Sequence, residues 1–421
     1  MPVLGSARDR VLSPGAWLTF AAVIRSNGKM DFTPPPDVER FRAELRAWLA
    51  KNQPSREARA VLSGDDEAGR IEFLKAWQRA LFEAGFIAVH WPKEVGGRGL
   101  SLLHHIAANE ELLRADAPPL INGPSLSISG PTLLACGSRE QQARYLPKLL
   151  TAEEVWCLGF SEPGAGSDLA SLRTRAERVG DDFVINGQKV WTTFGQMADF
   201  GLFLVRTDQA APKHKGISCL IVPMKDTPGL TIRPLREMTG DHDFNEVFLD
   251  SARVPASSLV GELNKGWQVI LTALGHERGT LLVVERVRLQ RCLDRMVATL
   301  REDPQGAHDG CVRQRLAQLY LETQIQGLHA IRILADLEQH RPPTESSILK
   351  LFGSELTQRA AEFGMALQGS YGLLFGDSPW VRDEGSWQHE QLMSFSATIA
   401  SGTSEVQRNI IAQRLLGLPQ A

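Results

Sequence analysis

The 421-residue chain is 43% hydrophobic and 23% charged, the balance of a folded globular protein, and it is long enough for about three ordinary domains. A net charge of −3, with no basic stripe interleaved with aromatics, argues against nucleic-acid binding. Five scattered cysteines with no Cys-x-x-Cys pair argue against a disulfide framework or a zinc site, and no apolar run approaches the roughly 20 residues of a bilayer-spanning helix. A reducing compartment fits this cysteine usage: bacterial cytoplasm, or the mitochondrial matrix in a eukaryote.

Residues 1–36 form an extension and lead. Arg8, Arg10, Arg25 and Lys29 stand there against the single acid Asp9 before Met30. The stretch reads either as a targeting segment or as sequence upstream of a start at Met30. Residues 37–150 read as a helical domain, with Phe41, Leu45, Trp48 and Leu49, then Ile71, Leu74, Trp77 and Leu81, at helical spacing. A glycine-rich loop around Trp91-Pro92 and Gly96-Gly97 interrupts it, and helix resumes from Leu102 to Arg114.

Residues 151–265 change texture and predict an antiparallel β domain. Its strands are expected at Val155–Phe160, Asp182–Ile185, Gly201–Val205, Ile217–Pro223 and Glu246–Leu249, with Asn186-Gly187 as a hairpin turn. Residues 266–421 predict a four-helix bundle. Its long amphipathic stretches are Trp267–Leu300, Cys311–Leu337 and Thr344–Gln368, and the last helix follows Gly402. The fold class is thus multidomain α+β, arranged α, then β, then α.

Two segments carry the chemistry. Gly159-Phe160-Ser161-Glu162-Pro163-Gly164-Ala165-Gly166-Ser167-Asp168 follows a strand and gathers glycines and hydroxyls into one loop, which lets backbone N–H groups approach an anion such as pyrophosphate. Asn186-Gly187-Gln188-Lys189-Val190-Trp191-Thr192-Thr193 sets an indole beside hydroxyls, which suits a flat heteroaromatic ring. Singly, either is an ordinary turn or a core aromatic. As a pair they resemble the two flavin-binding stretches of the acyl-CoA dehydrogenase family. The loop Trp91–Gly97 and the ending Gly402-Thr403-Ser404-Glu405-Val406-Gln407-Arg408 resemble two further family signatures, so the likeness runs from Asp37 to Leu418.

The resemblance implies an N-terminal helical domain, a central β domain, a C-terminal bundle, and FAD lying at a subunit interface. Carried over by position, Phe160, Ser161, Gly166, Ser167, Trp191, Thr193, Thr403 and Glu405 bind FAD, while Ser167, Ser401 and Gly402 meet the thioester. Lipid catabolism of the β-oxidation type, a tetramer and an electron-transferring flavoprotein as acceptor are further implications. Many family members carry the catalytic Glu directly before the terminal Gly-Thr, where this chain has Ser401. A branch of the family places it on the first bundle helix in a Glu-Arg pair, which assigns Glu277 as base beside Arg278. The family's Arg-x-x-Phe-Gly is missing near Thr299, and Ala366 stands where Gln is usual. Those motifs reach the neighbouring subunit's FAD, so their loss points to an α₂β₂ heteromer. A homo-oligomer, a non-catalytic or FAD-sharing subunit, and a flavin oxidase or monooxygenase of the same fold stay open.

Overall fold

The computed structural model describes residues 33–419 except 64–65, 304–305, 307, 339–344 and 377, together with strands β1 (Ile24–Ser26) and β2 (Lys29–Asp31). At 24–26, 29–31, 63, 272–284 and 338 it describes the backbone alone. The two short strands pair antiparallel.

The helix Pro36–Asn52 starts at a proline and buries Phe41, Leu45 and Leu49 on one face. They meet Trp77 and Leu81 of the helix Glu67–Glu83 and Ile106 of Leu102–Arg114 in one core. Gly97 closes the intervening loop because a Cβ there would stand 2.1 Å from the Trp91 carbonyl oxygen. Arg42 is buried beside Glu110 (2.5 Å) and Glu111 (2.9 Å), which pins the first helix to the helix Leu102–Arg114. Arg291 of the bundle donates to the Leu113 carbonyl at 2.9 Å and so ties that helix to the C-terminal domain.

The central sheet comprises β3 (Trp156–Gly159), β4 (Arg175–Val179), β5 (Asp182–Lys189), β6 (Phe200–Arg206), β7 (Ile217–Pro223), β8 (Leu230–Pro234), β9 (Asn245–Pro255) and β10 (Leu259–Val260). The order is β10-β7-β6-β4-β5-β9-β8. Most ladders are antiparallel, but β3 runs parallel to β6 from Trp156↔Phe200 to Gly159↔Phe203. Beyond it, β4 meets the same side of β6 only at Arg175↔Arg206. The sheet is therefore split between β3 and β4, and residues 160–174 emerge from the split.

Asn186-Gly187 is not a hairpin turn. It lies inside β5, at the register shift where that strand pairs with β9. Gly187 is needed there because a Cβ would fall 2.7 Å from the Thr174 Cα. The turn joining β4 to β5 is instead Gly180-Asp181, with Gly180 at φ +63°. An Asn-Gly pair fits a bulge as readily as a two-residue turn, since both tolerate unusual backbone angles.

The bundle comprises helices Gly266–Glu302, Gly310–Glu338, Ser346–Leu367 and Ser386–Ala397. Its core holds Leu289, Leu293, Met296, Leu319, Leu356, Phe363 and Trp387. The fourth helix differs from the sequence expectation. It is Ser386–Ala397, whereas the segment after Gly402 gives only the short helix Ser404–Ile410 and a π-turn. Ser386–Ala397 buries Trp387, Gln388 and Ser394, too few apolar positions to print a clear helical period. Among the described residues no helix is long and apolar enough to cross a membrane.

Candidate functional site

The two chemistry-bearing segments meet on the split side of the sheet. Val190 donates its backbone N–H to the Ser161 carbonyl at 3.0 Å. The Lys189 ammonium, wholly buried, donates to the Phe160 carbonyl at 3.1 Å and to Glu162 Oε1 at 2.8 Å. Glu162 also accepts the backbone N–H groups of Arg173 (2.7 Å) and Thr174 (2.8 Å). This buried pair fixes the loop against the strand. Burial pushes the Glu162 carboxyl up, but the Lys189 charge and these hydrogen bonds outweigh it and hold the group below the usual range. Burial pulls Lys189 from its ordinary 10.5 down to about 8, against the attraction of Glu162. Neither residue was singled out in the sequence, although opposite charges in two adjoining motifs were a usable signal.

Phe160 and Ser161 are half-buried, Phe160 packing on the large core, while Gly166 and Ser167 are exposed. A Cβ added at Gly164 or Gly166 would meet nothing within 4 Å, so this stretch of backbone borders open space. Trp191 is 60% exposed at φ +61° and stands edge-to-face on Phe244, ring centroids 5.9 Å apart. Thr193 is half-buried. The neighbouring Thr192 is fully buried, and its hydroxyl has no hydrogen-bond partner among the described residues. Asn245 braces this turn, donating to the Thr192 carbonyl at 3.0 Å and accepting the Thr192 N–H at 3.1 Å. An open indole face beside an open glycine loop fits a planar ring joined to a phosphate-bearing chain, as FAD is.

A second concavity, of about 630 Å³, lies between the first, third and fourth bundle helices and includes Asp116, Glu285, Arg288, Lys350, Glu390 and Ser401 in its lining. Ser401 has φ +54° and Gly402 φ +93°, and Gln407 Nε2 holds both carbonyls at 3.1 and 3.4 Å. The Thr403 hydroxyl accepts the Val406 N–H at 3.2 Å as a helix cap, and Glu405 is exposed beside Arg408. Glu277 and Arg278 fall on the helix Gly266–Glu302, and their side chains lie outside the described residues. No group of three or more His, Cys, Asp or Glu arranged to hold a metal occurs among the described residues.

The chain matches the family models for the acyl-CoA dehydrogenase N-terminal domain over residues 35–153, the middle domain over 157–252 and the C-terminal domain over 264–416. It is 41% identical over 392 residues to acyl-CoA dehydrogenase IpdE1 of Mycobacterium tuberculosis, covering 91% of this chain and 98% of that protein. Among solved structures, the Tcur3481–Tcur3483 steroid ACAD superposes with a TM-score of 0.83 at 32% identity, covering 93% of this chain and 100% of that one. The ChsE4–ChsE5 complex from Mycobacterium tuberculosis gives 0.81 at 33% identity, with the same coverage of each chain. Three domain matches in the family's order, with a relative matched over 98% of its length, place this chain in the acyl-CoA dehydrogenase family of oxidoreductases.

Proposed function

We propose that the chain is an FAD-dependent dehydrogenase that introduces a Cα=Cβ double bond into a bulky, steroid-derived acyl-CoA thioester. The observation that carries the FAD assignment is the Glu162–Lys189 pair, which locks an open glycine loop beside an exposed indole. The steroid assignment is supported by similarity to the Tcur3481–Tcur3483 steroid ACAD, and it moves the expected substrate away from a straight fatty chain.

Bound FAD supplies the acceptor for the β-hydrogen. Phe160, Ser161, Trp191 and Thr193 would hold its ring system, and Gly166 and Ser167 its pyrophosphate and the thioester end of the substrate. Thr403 and Glu405 would reach it from the last loop. Glu277 takes the α-proton, with Arg278 beside it. Ser401 has no carboxylate to act as base. Its backbone N–H, next to Gly402, polarises the thioester carbonyl.

With FAD bound, an electron-transferring flavoprotein would be the acceptor of its electrons. The chain works in an α₂β₂ heteromer, a reading supported by the absent in-trans motifs and by similarity to the paired ChsE4–ChsE5 assembly. The test is to purify the chain alone and with a co-expressed family partner, count flavin per mass, and assay a panel of acyl-CoA thioesters with an artificial acceptor. Visible flavin bands and turnover of polycyclic thioesters are expected. A folded complex that cannot be loaded with FAD would end the proposal, and a stable active homotetramer with one FAD per chain would end the heteromer.

A further inference from the structure

Lys350, on the third bundle helix, is a buried lysine, 5% exposed, on the wall of the bundle cavity. A buried charge is costly unless it is hydrogen-bonded, and the Lys350 Nζ donates to the Ala397 carbonyl at 2.9 Å. Ala397 is the last residue of the fourth bundle helix, so the cation sits at the negative end of that helix. Two turns along the third helix, Gln358 Nε2 donates to the Thr398 hydroxyl at 3.1 Å. The third helix thus grips two successive residues where the chain leaves the fourth.

Ser401 lies just beyond Ala397 in the chain and also lines the cavity. The run between them is one tight turn. The backbone N–H groups of Ile399 and Ala400 both donate to the Ser396 carbonyl, at 3.0 and 2.8 Å, and the Ser404 N–H closes back on the Thr398 carbonyl at 3.0 Å. Ser401 has φ +54°, a left-handed conformation disfavoured for a residue with a Cβ, which persists only where the surroundings fix it. Gln407 fixes its carbonyl side at 3.1 Å. Its N–H side is fixed through the turn that Lys350 and Gln358 grip. We propose that Lys350 is a positioning residue for the Ser401 amide. By anchoring the Ala397 carbonyl it sets the aim of the N–H that polarises the thioester. Its charge also offsets the negative helix end, which would otherwise oppose charge developing on the thioester oxygen. The proposal rests on the role of the Ser401 amide given above.

The test uses the FAD-loaded enzyme with its co-expressed partner. Turnover is measured on 3-(decalinyl)propanoyl-CoA, with octanoyl-CoA in its place if the enzyme takes only straight chains. Thioester polarisation is read from the infrared carbonyl stretch of the matching enoyl-CoA product, carbon-13-labelled at that carbonyl, free and bound. The wild type should lower that stretch on binding. Lys350→Met keeps the side-chain length and removes the charge and the donor. It should lose most of the downshift and lower kcat by about 10-fold, less than the roughly 10²–10³-fold that follows deletion of an oxyanion donor, with KM and flavin content nearly unchanged. Lys350→Arg should restore most of both. Lys350→Gln, which keeps a donor and loses the charge, should fall between, and it carries the test if the Met variant does not fold. A full downshift in the Met or Gln variant, whatever its turnover, overturns the role of Lys350 and leaves that of the Ser401 amide intact. A bound wild type with no downshift overturns both.

Discussion

Replacing Lys189 with Met, Glu162 with Gln, and both together tests whether the buried pair is what holds the two segments of the candidate site together. Lys189→Met removes two bonds, 3.1 Å to Phe160 and 2.8 Å to Glu162, and leaves a buried carboxylate with two backbone donors and no counter-charge. Removing one partner of a buried pair costs about 3–5 kcal/mol. The cost should fall at the lower end for Lys189→Met, because the depressed Lys189 pKa means that burial already opposes its charge. Glu162→Gln should cost more, since it strands a buried ammonium and weakens the hold on Arg173 and Thr174. The double variant should recover part of the loss, with a coupling of roughly 0.5–3 kcal/mol.

Urea unfolding of the FAD-loaded protein measures stability, and flavin release measures site geometry. The pH dependence has two signs. Glu162 has a depressed folded pKa, so its contribution is present above the ordinary Glu range and is lost as pH falls through the folded value. Lys189 is depressed from 10.5 to about 8, so the unfolded chain holds the extra proton between those values and stability rises with pH across that window. Single-variant losses that simply add in the double variant, with flavin affinity unchanged, would refute the bridging argument.

Glu277→Gln should lower turnover by at least about 10²-fold at unchanged flavin content, as loss of a positioned base requires, while Ser401→Ala should retain most activity; the reverse pattern assigns the base wrongly. Trp191→Ala should weaken flavin retention and leave unfolding stability within about 0.5 kcal/mol, because the indole is mostly exposed; unchanged flavin titration would remove Trp191 from the site. His105 is half-buried, its ring 4.2 Å from that of His90 and its Nε2 3.2 Å from Asn109, and desolvation together with His90 lowers its pKa well below the ordinary 6.5. The unfolded chain therefore takes up a proton first as pH falls below about 6.5, and stability falls with it. His105→Phe should flatten that slope between pH 7 and 5, as read by thermal unfolding.

The order of domains was legible in the sequence because period 3.6 gives way to strand-like runs near Thr151 and returns at Gly266. Finer features followed tertiary rather than local rules. Asn186-Gly187 has the composition of a turn, yet its neighbours pair on through it, so sheet context decided its conformation. Strands β4 and β8 were not anticipated: β4 exposes most of its residues and β8 has none fully buried, so neither shows a run of apolar positions. Within the candidate site the motifs located the loop and the indole, but motif reading treats each segment alone. The Glu162–Lys189 bond spans 27 positions and exists only once the sheet has brought the segments together.

The gap between β3 and β4 gives that bond a second meaning. In a continuous sheet the amides of Arg173 and Thr174 would find a neighbouring strand's carbonyls, whereas here the oxygens of one carboxylate take that place. One side chain thus stands in for a missing length of backbone ladder. The 160–174 segment can change length or composition without breaking a ladder, provided that the carboxylate and its ammonium remain. Its amides are also guarded by a group that titrates, unlike those of the adjoining strands. On acidification, hydrogen exchange should begin at these two amides while β6 and β7 stay protected.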